Sequence, residues 1–235
     1  MGPRWVAIAA LIVVATLCCA PGYAEDLAAP PATPAAQSDS RPNSILVFGG
    51  IMSTTVISTS IVFNLDETGA HPYYDNAIVG AAYDRDLFAL GYGFYLTFEF
   101  GIADRFGDYK QCCAPVVMSE AVLNSGEFWA GPQLRFVGPV LFDLFRVGTG
   151  VTIGFSAVTN SIGAELQRQI LASGNARFQY YLGPEIDFSA PSAPNFELVV
   201  KLQHRSGGKE LAFLPTLGNM KDAYNGNVVG IRYRF

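Results

Sequence analysis

The chain has 235 residues, half of them hydrophobic and only 15% charged, with a formal charge of -5. That balance excludes a general nucleic-acid binder, which carries a basic surface, and it is too apolar for an ordinary acidic soluble protein. Beyond the first residues no stretch is apolar over the roughly 20 residues a membrane helix needs, so membrane residence would require a closed β-barrel.

Met1 to Arg4 supply a short basic start, Trp5 to Ala20 an apolar core, and Gly22-Tyr23-Ala24 a small-x-small pattern before Glu25. These features predict a secretory signal peptide over 1–24, cleaved after Ala24. Cys18 and Cys19 leave with it. Residues 25–42 are Ala, Pro, Ser and Asp with hardly a large apolar side chain, the composition of a disordered periplasmic linker. The mature chain then keeps only the adjacent pair Cys112 and Cys113, read as a loop feature. Too few ligand residues accompany them to imply a metal site, and no cofactor is implied.

From residue 43 to Phe235 the pattern becomes period two, predicting an all-β, eight-stranded antiparallel transmembrane β-barrel with strands near 44–54, 76–86, 92–106, 127–137, 146–158, 177–189, 196–206 and 227–235. Phe94, Leu96, Phe98, Phe100 and Ile102 share one face of the third; Tyr95, Thr97, Glu99 and Gly101 share the other. The connections after the odd-numbered strands are long and the rest short, so the odd ones are expected outside the cell and the even ones in the periplasm. Charges of both signs fall on the predicted inner face, Glu99, Arg135, Glu185, Lys201 and Arg232 among them, which describes a salt-bridged plug in so narrow a barrel. A soluble ligand-binding barrel alternates too, with its apolar face inward. The leader in front and the aromatic C-terminal Phe235 favour the outer membrane, where such a last residue resembles the signal read by the barrel-assembly machinery.

Strand seven carries the candidate chemistry. Phe196, Leu198, Val200 and Leu202 face lipid, and the same parity brings His204 and Ser206 to that face near the outer-leaflet head groups. A hydroxyl beside a base is what nucleophilic acyl transfer needs, and backbone N–H groups of Gly207 and Gly208 are candidates to hold an oxyanion. His71, in the first extracellular connection, is read as incidental.

The segment Leu202-Gln203-His204-Arg205-Ser206-Gly207-Gly208, with the closing strand Asn227 to Phe235, resembles the C-terminal part of PagL-type lipid A 3-O-deacylases. The match is motif-specific over about the last 35 residues and architectural elsewhere. The resemblance implies an outer-membrane serine esterase acting on lipopolysaccharide, with Ser206 as nucleophile and His204 as its general base. The family places a Glu at the head of the last strand, where this chain has Asn225-Gly226-Asn227. By parity Asn227 is the candidate orienting residue, with Glu210 and Asp222 as alternatives. A non-enzymatic small outer-membrane barrel with a structural or adhesive role is the competing reading.

Overall fold

The computed structural model describes residues 41–53, 74–107, 124–209 and 215–235. The expected signal peptide, most of the expected linker, His71, Cys112, Cys113 and Glu210 lie outside the described residues. Eight strands form a closed barrel: β1 Asn43–Ser53, β2 Tyr74–Gly91, β3 Phe94–Phe106, β4 Asn124–Leu141, β5 Phe145–Val158, β6 Phe178–Ser189, β7 Phe196–Ser206 and β8 Asp222–Arg234. Each strand pairs antiparallel with the next, and β8 closes on β1. Asn43 and Phe235 exchange backbone hydrogen bonds of 3.2 and 2.9 Å, so both ends of the barrel domain lie at one rim, here the lower.

The period-two pattern holds along the walls, and its sense decides the environment. Phe98, Phe100 and Ile102 on β3, Leu198 and Val200 on β7, and Val229, Ile231 and Tyr233 on β8 are exposed. Glu99, Arg135, Glu185, Lys201, Arg205 and Arg232 are buried. A soluble barrel buries its apolar face and wets its polar one; this wall is inverted, and closure leaves no unpaired edge in lipid. The chain is a membrane-spanning β-barrel.

A mixed core of apolar, aromatic and charged side chains packs the lumen. At mid-height the Trp129 ring stacks on Tyr181 with centroids 5.5 Å apart and meets Phe48 at 5.9 Å, while Trp129 Nε1 donates to Glu99 Oε1 at 2.6 Å. The indole needs Gly101 opposite it on β3: a Cβ there would sit 2.0 Å from the ring. Gly101→Ala should therefore displace Trp129 and lower stability by about 1–3 kcal/mol, read from urea unfolding of the refolded protein. An unchanged midpoint would mean that the indole moves aside freely. Around this layer Lys201 pairs with Glu99 and lies 3.3 Å from Glu185, and Arg232 reaches Asp84, Glu185 and Glu197. The expected plug is thus present.

Several elements differ from the sequence reading, β2 among them, which runs on to Gly91 rather than ending near 86. β4 runs on to Leu141 through Gly138 and Pro139, because a register irregularity between Val137 and Val140 lets a residue without an N–H sit there. β8 begins at Asp222, five residues before the expected 227. The connection between β5 and β6 contains a helix, α1, Gly163–Leu171, which strand periodicity could not reveal.

Candidate active site

The end of β7 builds the site. His204 lies between Leu182 of β6 and Asn225 of β8 in the ladder, and Ser206 between Tyr180 and Asp222 after an irregularity that separates Arg205 from Ser206. Both side chains keep the outward parity of Leu198 and Val200, yet the wall is covered here: His204 is 8% exposed and Asn225 0%. Alternation places both on the lipid face; the structure keeps that parity and buries the imidazole.

His204 Nδ1 and Asn225 Oδ1 are 2.6 Å apart. The residue in front of the imidazole is therefore Asn225 rather than Asn227, which sits opposite Leu202 and Ile51, two positions further down β8. The difference follows from the early start of β8. Asn225 and Asn227 share a parity, and only the register chooses the one directly across from His204. Asp222 is the ladder partner of Ser206, at the first position of β8.

Ser206 Oγ donates to the Lys221 carbonyl at 2.9 Å and accepts from the Gly208 N–H at 3.0 Å. Among the described residues no hydrogen bond joins Ser206 to His204. Gly208 has φ +74°, a conformation that favours glycine, and a Cβ on it would meet the Tyr180 ring at 2.8 Å. Gly207 is packed as tightly: a Cβ there would lie 2.1 Å from the Met220 carbonyl oxygen, and its own carbonyl accepts from Leu217 N–H at 2.8 Å. Both glycines thus fold the chain sharply around the hydroxyl, and the Gly208 N–H points at Ser206 itself. Of the two N–H groups expected to hold an oxyanion, that of Gly208 is engaged by Ser206 Oγ in this arrangement.

The height of the site follows from strand geometry. Ser206 ends an 11-residue strand that starts at Phe196 in the lower aromatic ring. About ten steps of roughly 3.3 Å, tilted about 40°, raise Ser206 by about 25 Å, the height of the apolar band of such barrels. Ser206 therefore stands where hydrocarbon gives way to head groups, at the rim opposite the termini. Tyr180 beside it extends an aromatic face, since its ring lies 5.5 Å from Phe155, which stacks on Phe178 at 5.4 Å. Alternation alone identified none of Asn225, Tyr180 or the aromatic face as part of the site.

No family model matches the chain, and no curated protein matches it. Among solved structures it is similar to the attachment invasion locus protein Ail of Yersinia pestis, with 11% identity over 83% of this chain and 99% of that one and a TM-score of 0.37. It is likewise similar to the outer membrane protein OprG from Pseudomonas aeruginosa, with 10% identity over 83% of this chain and 97% of that one and a TM-score of 0.37. The membrane-spanning assignment rests on this chain's own closure and inverted burial.

Proposed function

We propose that this chain is an outer-membrane serine esterase that removes an ester-linked 3-hydroxyacyl chain from lipid A of the outer leaflet. One observation carries the reading: an imidazole held by Asn225 on the outward parity of the barrel, two residues from a hydroxyl at head-group height.

The Asn225 carbonyl accepts a hydrogen bond from Nδ1–H, which fixes the tautomer and makes Nε2 the basic nitrogen. A rotation of Ser206 away from the Lys221 carbonyl brings its proton to that nitrogen. Catalytic hydrogen bonds commonly tighten only once substrate is bound. Oγ then adds to the ester carbonyl carbon, its proton passing to His204, and the tetrahedral oxyanion collapses with release of the sugar 3-oxygen, which takes the proton back. Water repeats the sequence on the acyl-enzyme, freeing the 3-hydroxy acid and restoring Ser206. The Gly207 and Gly208 amides are the nearest backbone donors for the oxyanion once Ser206 has rotated. Lipopolysaccharide is the partner.

Comparing lipid A mass spectra from cells with and without the expressed protein tests the proposal. Loss of one hydroxyacyl chain is expected; an unchanged spectrum with the protein confirmed at the surface overturns it. Asn225 gives a sharper check. Asn225→Ala should slow ester release about a hundredfold by freeing the imidazole, whereas Asn225→Asp keeps the acceptor and should retain the rate. Equal rates in Asn225→Ala and wild type would remove Asn225 from the site.

The competing reading is a non-enzymatic barrel, favoured by one observation: the Ser206 hydroxyl is satisfied by its own turn through Lys221 and Gly208. On that reading the serine is a local turn element, and its replacement leaves lipid A untouched.

A further inference from the structure

The helix in the β5–β6 connection is tied to the end of β7 from two directions. From below, Glu165 points into the barrel mouth, where its carboxylate accepts from Arg105 Nη2 at 3.0 Å and from Arg205 Nη1. All three side chains are fully buried. Arg105 belongs to β3 and Arg205 to β7, four strands apart in an eight-stranded ring, so one carboxylate joins opposite walls. Arg205 also donates to the Ala176 carbonyl at 2.8 Å, just beyond α1.

From above, Asn219 Nδ2 donates to the Ala172 carbonyl at the end of α1 at 2.8 Å, and Asn175 N–H to the Gly218 carbonyl at 2.7 Å. The same short stretch of the β7–β8 connection holds the serine, because Leu217 N–H donates to the Gly207 carbonyl and the Lys221 carbonyl accepts from Ser206. Arg205 lies between His204 and Ser206 in sequence, at the point where the β7–β8 ladder slips. A strand end free of these ties would fray, since terminal ladder positions are the least stable part of a sheet.

We propose that Glu165 is a positioning residue for the Ser206 turn: through Arg205 it fixes where β7 stops, and α1 clamps the turn against the 217–221 segment. The inference builds on the proposed esterase, which gives the turn its task. It adds a control over that site from a helix that touches neither His204 nor Ser206 by any hydrogen bond among the described residues. Swapping the carboxylate for an amide leaves two buried guanidinium groups to share the Glu127 carboxylate alone, 3.6 Å from Arg105 Nε and 3.7 Å from Arg205 Nε, so Arg205 shifts toward it and the turn with it.

The test uses the full mature chain refolded in detergent with purified lipopolysaccharide. Glu165→Gln should stay folded, shown by its heat-modifiable gel mobility, and lower kcat about tenfold with KM nearly unchanged. Exchange of the Gly208 amide, protected by Ser206 Oγ, should speed up by a similar factor. Glu165→Asp, which keeps the charge, should recover part of both. Asn219→Gly serves as second variant should Glu165→Gln not fold; it cuts the upper tie on the surface at a residue whose φ of +56° suits glycine, and the same shifts are expected. A folded variant in which kcat or Gly208 exchange equals wild type overturns the proposal. Should wild type release no acyl chain, the esterase reading fails by itself, and Gly208 exchange alone decides whether Glu165 holds the turn.

Discussion

Ser206→Ala is expected to abolish the loss of a hydroxyacyl chain from lipid A, with a fall in turnover of at least about a thousandfold, while the barrel remains folded. The two halves of that expectation come from different bonds. On the proposed mechanism, activity depends on the Ser206 hydroxyl forming the acyl-enzyme. Stability depends on what the hydroxyl does in the resting protein, where it bonds the Lys221 carbonyl and the Gly208 amide. Each such bond contributes about 1 kcal/mol net, and both backbone groups lie close to the rim, where water can replace the serine. The variant should therefore refold with wild-type heat-modifiable mobility and an unfolding midpoint only slightly lowered. His204→Ala should match it in activity, because a serine without its base attacks an ester hardly better than water does. Retained acyl release by folded Ser206→Ala would eliminate this serine as nucleophile. Loss in Ser206→Ala with full activity in His204→Ala would remove the histidine alone.

Period two made the walls legible. Leu198 against Lys201, or Ile231 against Arg232, requires nothing beyond alternation to sort lipid from lumen, and the inner charges fall inside as expected. The pair His204 and Ser206 was visible for the same reason, as polar residues continuing an apolar parity. Asn225 was not, because parity is a property of one strand while facing His204 is a property of two. The register that selects it over Asn227 is set by where β8 starts, and Asp222-Ala-Tyr224 carries no strong strand signal of its own. Helix α1 escaped for a related reason. Its stretch Gly163-Ala-Glu-Leu-Gln-Arg-Gln-Ile-Leu171 begins without a side-chain cap, and its burial comes from the barrel mouth beneath it. Glu165 reads in the sequence as an ordinary loop acid, and only the closed ring brings Arg105 and Arg205 to it from opposite walls.

Arg232→Ala is expected to be the most damaging substitution in the lumen, lowering stability by about 3–5 kcal/mol, the usual effect of removing one partner from a buried ionic cluster. Arg232 is fully buried, with Nε 3.1 Å from Asp84, Nη2 donating to Glu185 at 2.6 Å and Nη1 to Glu197 at 3.2 Å. Alanine removes the guanidinium shared by three carboxylates and leaves a void. Lys201 still faces Glu185, and Arg234 still binds Glu197, but Asp84 is left with only Ser44 Oγ at 3.1 Å. Asp84 and Glu185 are both buried, so their repulsion without the guanidinium is poorly compensated. Refolding into lipid vesicles across a urea gradient measures the change. Two comparisons locate its origin. Arg234→Ala should be milder, since Arg234 sits one ladder step from the lower rim, where its partners Glu197 and Asp86 can hydrate. Adding Glu185→Gln to Arg232→Ala should recover part of the loss, because it removes one of the stranded charges. Should the double variant prove no more stable than Arg232→Ala, the damage would come from the cavity rather than from charge, and the plug would owe its stability to packing around Trp129 instead of to its ion pairs.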